Sequence, residues 1–255
     1  MNKKLLILLA FGGFLAAGCG TAHYDVSGVS RNRVLIDKSY DANPDAKAVT
    51  FIMPYKHTVD SMMSPLMGHT AEYMWAQRPE SNLTNLLADI LMWAAPHYGE
   101  NPDFGIYNIG GMRAALPKGK VTYGDIQDVA PFENRICFVS LMGDKVLELF
   151  QQIMIKGGEA ISGGVRLVYD KDKKLKSATI NGQPVDPKKN YRIVTIDYVA
   201  EGNDKMAAFH AGTDKVIGMN ERDFSRFTIM DYFQAMEAQG KIVDSKVEGR
   251  ITIEE

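Results

Sequence analysis

The stretch Phe104-Gly-Ile-Tyr-Asn-Ile-Gly-Gly-Met-Arg113 combines a short apolar run with the loop that leaves it, and the rest of the chain is organised around it. The apolar run predicts a strand. Gly110 and Gly111 allow a tight turn and a close approach of backbone to a ligand. Asn108 both donates and accepts through its amide, and Arg113 offers a planar fork of donors that suits phosphate or another oxyanion. A tight turn with a solvated arginine would use the same residues, so the loop alone leaves both interpretations open.

Periodic apolar segments on either side of this stretch predict a series of helices and strands. Helices are predicted over residues 49–63, 82–94, 123–129 and 146–153, and from a cap at Thr228 onward. Strands are predicted over residues 34–36, 69–75, 104–107, 136–141, 165–169, 175–180, 191–196 and 247–253. Gly143 is expected to lie in a turn. The Asn181-Gly182 pair is typical of a hairpin, and the strands around it predict a β-meander.

No repeat or low-complexity tract interrupts this series. We therefore expect residues 49–255 to form one α+β domain of mixed sheet with flanking helices. Residues 19–48 are polar and rich in turn residues, which predicts a tether and N-terminal extension.

The composition excludes several classes of protein. The 255 residues are 45% hydrophobic and carry a formal net charge of -2, so an ordinary globular fold is expected and disorder is not. Lys and Arg are scattered along the chain and form no basic stripe, which argues against binding of a nucleic-acid polymer. A small anionic ligand held by a few local cations remains possible.

The first residues have the pattern of a targeting segment. A basic start at Asn2-Lys-Lys4 precedes an apolar run from Leu5 to Leu15, which is too short for a permanent membrane span. Leu15-Ala-Ala-Gly-Cys19 follows and resembles a bacterial lipobox. We expect residues 1–18 to be removed as a signal peptide and Cys19 to be acylated. The expected product is an exported protein that is lipid-anchored to the bacterial cell envelope membrane and has no transmembrane helix.

The remaining cysteine and the histidines predict no metal or nucleophile site. Cys137 lies in an apolar run and is expected to be a buried, inert thiol. The five histidines are scattered, and the sequence contains no P-loop, Gly-x-Ser-x-Gly or paired-cysteine pattern. We therefore predict no catalytic residue and no cofactor in this chain.

Three further motifs follow the opening loop in a fixed order. They are Ala130-Pro-Phe-Glu-Asn134, Tyr198-Val-Ala-Glu-Gly-Asn-Asp204 and Val247-Glu-Gly-Arg-Ile251. With the loop, they resemble the C-terminal, substrate-recognition domain of the 5'-nucleotidase and UDP-sugar hydrolase family, over roughly Ser81 to Ile253. The chain departs from the family pattern where Ile109 replaces a glycine, Tyr198 a phenylalanine and Asn203 a glycine.

The resemblance implies a nucleotide or nucleoside ligand. Arg113 and Asn108 would contact the phosphate and nearby oxygens, Phe132 and Tyr198 would sandwich the base, and Asp204 would accept hydrogen bonds from the ribose hydroxyls. Taken singly, Phe132 could instead fill the core, Tyr198 could be a packing residue and Asp204 could form a turn. The expected substrate-binding residues are Asn108, Gly110, Gly111, Arg113, Phe132, Tyr198 and Asp204.

The catalytic domain of this family is a separate metallophosphatase, and its histidine motifs are absent from this sequence. We therefore expect the chain to recognise nucleotides for a metallophosphatase that is another polypeptide and that carries the divalent metals. The alternative is a non-catalytic surface lipoprotein that binds nucleotides or nucleosides.

Overall fold

The structure, a computed structural model, describes residues 24–254. The predicted signal peptide and the acylated Cys19 lie outside the described residues. The chain divides between Phe51 and Ile52 into two compact units.

Over residues 24–45, the described part of the first unit before its helix, the regular structure is one 3-10 turn, Lys38–Tyr40. It is capped by the side chain of Asp37, which accepts from the Ser39 amide at 2.9 Å. The strand predicted over residues 34–36 is wrong: these residues are exposed and pair with no strand in the described part of the chain. Three apolar residues between polar turn residues are too few to form a sheet by themselves.

The helix predicted over residues 49–63 is confirmed as α1, Ala46–Met63. It begins earlier than predicted because the Asp45 carboxylate accepts from the amides of Lys47 and Ala48 at 2.8 and 2.9 Å. Pro54 lies within the helix without ending it. Within residues 24–254, no helix has both the length and the apolar character needed to cross a bilayer.

The second unit is built on a five-stranded mixed sheet. Its strand order is β10 (Thr213–Ile217), β4 (Ile136–Met142), β9 (Asn190–Ile196), β2 (Phe104–Tyr107) and β5 (Ala160–Ile161). In this sheet, only β2 and β9 run parallel to each other. The central strands are buried on nearly every residue, which explains their continuous apolar sequences.

Two smaller sheets complete the strands. A four-stranded sheet has the order β11 (Ile251–Ile253), β6 (Val165–Tyr169), β7 (Leu175–Ile180) and β8 (Gln183–Pro184), and β1 (Leu66–Thr70) pairs with β3 (Gly119–Thr122). The predicted hairpin turn is confirmed: Asn181 and Gly182 have φ values of 52° and 75° between β7 and β8. The predicted meander is wrong, because the strand after the hairpin, β9, pairs with β4 in the larger sheet. Most residues of that strand are buried on both faces, which fits a central position in the sheet.

The remaining helices are α2 (Asn82–Ala94), α3 (Tyr123–Val129), α4 (Gly143–Ile153), α5 (Asp197–Ala200) and α6 (Ser225–Ala238). α2 and α3 have the predicted bounds, since capping boxes at Ser81 and Thr122 mark where they begin. The predicted fold class, α+β with mixed sheet and flanking helices, is confirmed.

Several boundaries differ from the predictions. Gly143 begins α4, and only glycine fits there because a Cβ atom would lie 1.9 Å from the Asp186 carbonyl oxygen. Thr228 lies inside α6, which begins three residues earlier.

Two strands differ from their predicted ranges. The strand predicted over residues 69–75 is β1, Leu66–Thr70, and beyond it Met74 forms only an isolated bridge with Leu116. The strand predicted over residues 247–253 is limited to β11, Ile251–Ile253.

Candidate functional site

An open cleft of about 290 Å³ lies where the loop after β2 meets the segment after α3 and the segment that begins with α5. All seven residues predicted to bind substrate line it, although they come from positions 96 residues apart. One further lining residue is Asn134, which the predicted site did not include. It is the last residue of the Pro131-Phe-Glu-Asn134 motif, so the motif itself carried a signal for it.

The loop after β2 has little room for larger side chains. Residues Ile109–Gly111 form a 3-10 turn. A Cβ atom at Gly111 would lie 2.8 Å from the Asn108 side-chain oxygen, closer than Cβ atoms are normally found to other atoms. At Gly110 the nearest atom would be an Asp204 oxygen at 3.5 Å, an ordinary contact. A side chain at Gly111 would therefore displace the Asn108 amide, whereas one at Gly110 would make only an ordinary contact.

The buried carboxylate of Glu159 binds the backbone of this loop. Glu159 Oε2 accepts from the Ile109 amide at 2.5 Å, and Glu159 Oε1 forms an ion pair with Arg78 Nη2 at 2.9 Å. The Glu159 side chain is fully buried. Burial raises the pKa of the Glu159 carboxyl above its ordinary value, although the bond from Ile109 and the charge of Arg78 act in the opposite direction. The sequence analysis did not identify this pair, because no local pattern links the two residues.

Asp204 lies on the other side of the loop and is held by two partners. Asn108 Nδ2 donates to its Oδ2 at 2.7 Å, and the Lys156 ammonium group pairs with its Oδ1. Burial is the largest single influence and raises the pKa of the Asp204 carboxyl. The bonds from Lys156 and Asn108 and the charge of Lys156 outweigh it, so the pKa lies below its ordinary value. Asp204 is therefore an ionised acceptor at neutral pH.

Two aromatic rings form the exposed walls of the cleft. Phe132 is 46% exposed and Tyr198 39% exposed, so neither ring fills the core. Tyr198 lies in the first turn of α5, where its amide is held by the Asp197 carboxylate at 2.7 Å. Arg113 is exposed, and its Cζ atom lies 5.9 Å from the centroid of the Phe132 ring. Arg113 makes no ion pair with any residue in the described part of the chain.

The other candidate chemistry lies elsewhere. Cys137 is buried, as predicted, and burial raises the pKa of its thiol to about 11, which disfavours the reactive thiolate. Within residues 24–254, no group of three or more His, Cys, Asp or Glu side chains is arranged to hold a metal ion. His69 pairs with Glu237 at 2.9 Å, and His210 contacts the Glu201 carbonyl oxygen at 3.0 Å.

Comparison with known proteins agrees with this architecture. The sequence profile of the 5'-nucleotidase, C-terminal domain, matches residues 66–211, more than half of the chain. The chain therefore belongs to the family of 5'-nucleotidase C-terminal domains, as the four motifs indicated.

Individual relatives cover the chain to different extents. The trifunctional nucleotide phosphoesterase protein YfkN of Bacillus subtilis (strain 168) is 28% identical over 236 residues, which are 85% of this chain and 16% of YfkN. The apyrase of Tabanus yao is 34% identical over 120 residues, 39% of this chain and 22% of the apyrase. In fold, the chain is similar to the 5'-nucleotidase precursor of Thermus thermophilus, with a TM-score of 0.71, 23% identity and coverage of 84% of this chain and 44% of that one. The chain thus spans less than half the length of each of these proteins.

Proposed function

We propose that this chain is a nucleotide-recognition domain of a 5'-nucleotidase-type phosphohydrolase, and that it acts in nucleotide catabolism with a metallophosphatase supplied by another polypeptide. The observation that carries the proposal is the cleft itself. It combines two exposed aromatic rings, an arginine without an ion-pair partner among the described residues and an ionised carboxylate.

Each of these groups suits a different part of a nucleotide. The exposed faces of Phe132 and Tyr198 suit a base, and stacking on such a ring is worth about 1–3 kcal/mol per base. The Asp204 carboxylate suits the vicinal hydroxyl groups of a ribose, because an ionised carboxylate accepts strongly from hydroxyl donors. The guanidinium of Arg113 suits a phosphate, which it can bind through two parallel hydrogen bonds.

The backbone and the buried network support a preorganised site. Glu159 fixes the Ile109 amide and Lys156 and Asn108 fix Asp204, so the acceptor and the loop are held before a ligand arrives. A ligand therefore meets groups whose ordering has already been achieved during folding, which favours affinity.

The proposal of a partner in trans rests on the openness of the cleft and on the relatives. Phe132, Tyr198 and Arg113 are exposed, so a second protein could close over a bound nucleotide. YfkN and the apyrase are several times longer than the matching segment, and YfkN is named a nucleotide phosphoesterase. We expect the divalent metals of the reaction in that partner, and we expect the lipid on Cys19 to hold the chain at the cell envelope membrane.

Calorimetric titration of the purified protein with AMP, adenosine and UDP-glucose tests recognition. AMP is expected to bind. Arg113→Ala is expected to lower the affinity for AMP more than the affinity for adenosine, because only AMP carries the phosphate. Arg166→Ala is the matched control, since Arg166 is also exposed but pairs with Glu248 away from the cleft lining. If none of the three ligands binds and circular dichroism shows a folded protein, recognition by this chain alone is wrong.

The alternative function, a non-catalytic nucleotide-binding lipoprotein, makes the same binding prediction. It differs in expecting no gain in hydrolysis when any metallophosphatase is added. The rate measurement with a partner, described in the Discussion, separates the two.

A further inference from the structure

A second cavity, of about 230 Å³, lies at the N-terminal end of α2. It is lined by residues of the segment 72–82, which leads into α2, and by residues 246–247. It shares no lining residue with the nucleotide cleft, so it is a separate feature of the molecule. Pockets for drug-sized ligands are larger, at roughly 300–1,000 Å³, so this cavity suits a single ring.

Trp75 gives this cavity an aromatic wall. Trp75 lines the cavity and is 46% exposed. Its indole Nε1 donates to Gln77 Oε1 at 3.0 Å, and the ring of Tyr73, which is outside the cavity lining, stacks beside it with 5.9 Å between the centroids. The ring is thus held in one orientation and remains open to solvent. Such a ring favours binding, because a ligand can cover its apolar surface at little cost in ordering.

The residues that cap α2 position the groups around this ring. Asn82, which is only 7% exposed, accepts from the Trp75 amide at 3.1 Å through Oδ1. Its Nδ2 donates to Glu72 Oε1 at 3.1 Å. Ser81 Oγ accepts from the Gln77 amide at 3.1 Å. Trp75, Gln77 and Glu72 are therefore fixed relative to one another by the start of one helix.

The segment that forms the second wall is bound to the same helix. Asn85 Nδ2 donates to the Lys246 carbonyl oxygen at 2.8 Å. The Glu80 carboxylate accepts from the amides of Glu248 and Arg250, both at 2.7 Å, and from Asn85 Nδ2 at 2.6 Å. Glu80 lines the cavity as well, but its oxygens are occupied by these bonds, so its role is to hold the two walls together.

Three polar groups of the lining are left for a ligand. Among the described residues, Glu72 Oε2 and Gln77 Nε2 form no hydrogen bond, and Glu72 forms no ion pair. The Lys246 ammonium group forms one long ion pair, at 3.5 Å from Asp244, and both side chains are exposed. The lining therefore offers one charged acceptor, one neutral donor and one charged donor.

This set of groups matches a neutral molecule with several hydroxyl groups. A hydroxyl group can donate to a carboxylate and can accept from an amide or an ammonium group. A cation in the cavity would meet the ammonium group of Lys246, and an anion would meet the carboxylates of Glu72 and Glu80. The flat face of Trp75 matches the apolar C–H face of a sugar ring, whose contact with an aromatic ring removes apolar surface from water.

We propose that this cavity is a carbohydrate-binding site, in which one sugar ring lies against Trp75 and its hydroxyl groups bind Glu72, Gln77 and Lys246. The site does not rest on the proposed function, because none of its residues belongs to the nucleotide cleft. It would give the chain a second ligand class besides nucleotides.

The two tryptophans of the chain allow a direct test by NMR. They are Trp75 and Trp93, so the isotope-labelled protein has two indole Nε1–H resonances, which Trp93→Phe assigns. The probes are cellotriose, maltotriose and tri-N-acetylchitotriose. At least one of them is expected to shift the Trp75 resonance, with a Kd on the order of 1 mM because a single ring makes few contacts. Trp93 is 42% exposed outside this cavity, so its resonance is a control in the same spectrum.

Variants assign the shift to the proposed groups. Glu72→Gln is expected to lower the affinity for the bound sugar by about tenfold, since it replaces a charged acceptor by a neutral one. Trp75→Ala is expected to abolish binding, as measured by calorimetry, and Trp93→Phe is the matched control that should retain it. If Trp75→Ala does not fold, the wild-type spectrum and Glu72→Gln decide.

Two kinds of result would overturn the proposal. The first is the absence of a Trp75 shift with all three sugars, or equal shifts of Trp75 and Trp93, which would indicate non-specific association. The second is a Trp75 shift with choline, a cation that also favours aromatic rings, and none with the sugars. A shift confined to Trp75 that Glu72→Gln weakens supports the site. Failure of AMP to bind contradicts the proposed function and leaves the sugar titration decisive for this site.

Discussion

Asn108 donates from Nδ2 to Asp204 Oδ2 across 2.7 Å, and this bond joins two segments that lie 96 residues apart in the chain. Together with Lys156 on the other oxygen, this bond holds the pKa of the Asp204 carboxyl below its ordinary value and fixes the carboxylate in the lining of the cleft. The position of the predicted diol acceptor therefore depends on the loop that is predicted to hold the phosphate.

Replacement of Asp204 tests its role toward the sugar. Asp204→Asn is expected to lower the affinity for adenosine by about tenfold, since it exchanges a charged acceptor for a neutral one. Binding of 2',3'-dideoxyadenosine, which lacks both hydroxyl groups, is expected to change little. Calorimetry with the two nucleosides measures the difference. Equal losses for both would show that Asp204 maintains the loop and does not read the sugar.

The two aromatic walls are expected to contribute to affinity and not to stability. Phe132→Ala and Tyr198→Ala should each weaken the binding of AMP by about 1–3 kcal/mol, the value of one base-stacking contact. The melting temperature should hardly change, because both rings are substantially exposed. Tyr73→Ala is the control, since Tyr73 is 55% exposed outside the cleft lining. A large loss of stability in the Phe132 variant would contradict the assignment of that ring to the cleft.

The adjacent glycines offer a matched pair of alanine variants. Gly111→Ala should displace the Asn108 side chain, because the added Cβ would lie 2.8 Å from its oxygen, and it should weaken both ligand binding and folding. Gly110→Ala adds a Cβ at an ordinary 3.5 Å from Asp204 and should fold normally. Urea unfolding and AMP titration compare the two variants. The prediction fails if Gly110→Ala is the more damaging change to stability.

The buried Glu159 predicts a pH dependence of stability. Its folded pKa is raised, so the folded state binds the proton more tightly than the unfolded state does. The free energy of unfolding should therefore fall as pH rises from the ordinary value of 4.5 through the folded pKa. Glu159→Gln removes this contribution and retains an oxygen that can accept from the Ile109 amide. Urea unfolding across this range should give a flatter profile for Glu159→Gln than for the wild type.

Glu148→Gln is the control for that experiment, because the Glu148 side chain is 42% exposed and forms its ion pair with Lys145 on the surface of α4. Asp204 acts in the opposite sense: its pKa is lowered, so its contribution is present above its ordinary pKa and is lost as pH falls through the folded value. Identical profiles for wild type and Glu159→Gln would show that Glu159 titrates alike in both states.

Hydrolysis by the proposed partner should be faster in the presence of this chain. AMP hydrolysis by that proposed metallophosphatase is expected to rise by about tenfold or more when this chain is added, which corresponds to ~1.4 kcal/mol of transition-state stabilisation. Phe132→Ala should abolish the gain and Tyr73→Ala should preserve it. Nucleotide binding by the chain with no rate gain from any metallophosphatase would instead favour the non-catalytic binding function.

Local signals explain which features could be predicted from the sequence. The first residues of α2 and α3 follow from capping boxes within four residues, and the hairpin follows from the Asn181-Gly182 pair. The seven cleft residues were found through ordered motifs, which identify residues without showing how they meet. Asn134 belongs to one of these motifs and lines the cleft, but it was not among the predicted substrate-binding residues.

The features that only the tertiary structure decided are contacts between residues that lie far apart in the sequence. The sequence by itself determined most of the helices, the hairpin and the residue types that line the cleft, because each depends on neighbours along the chain. Only the fold decided that β9 joins the large sheet, that Arg78 neutralises Glu159, and that Arg135 meets Phe224 instead of a carboxylate. These pairings join residues tens of positions apart, and the burial that selects one partner over another exists only after the chain has folded.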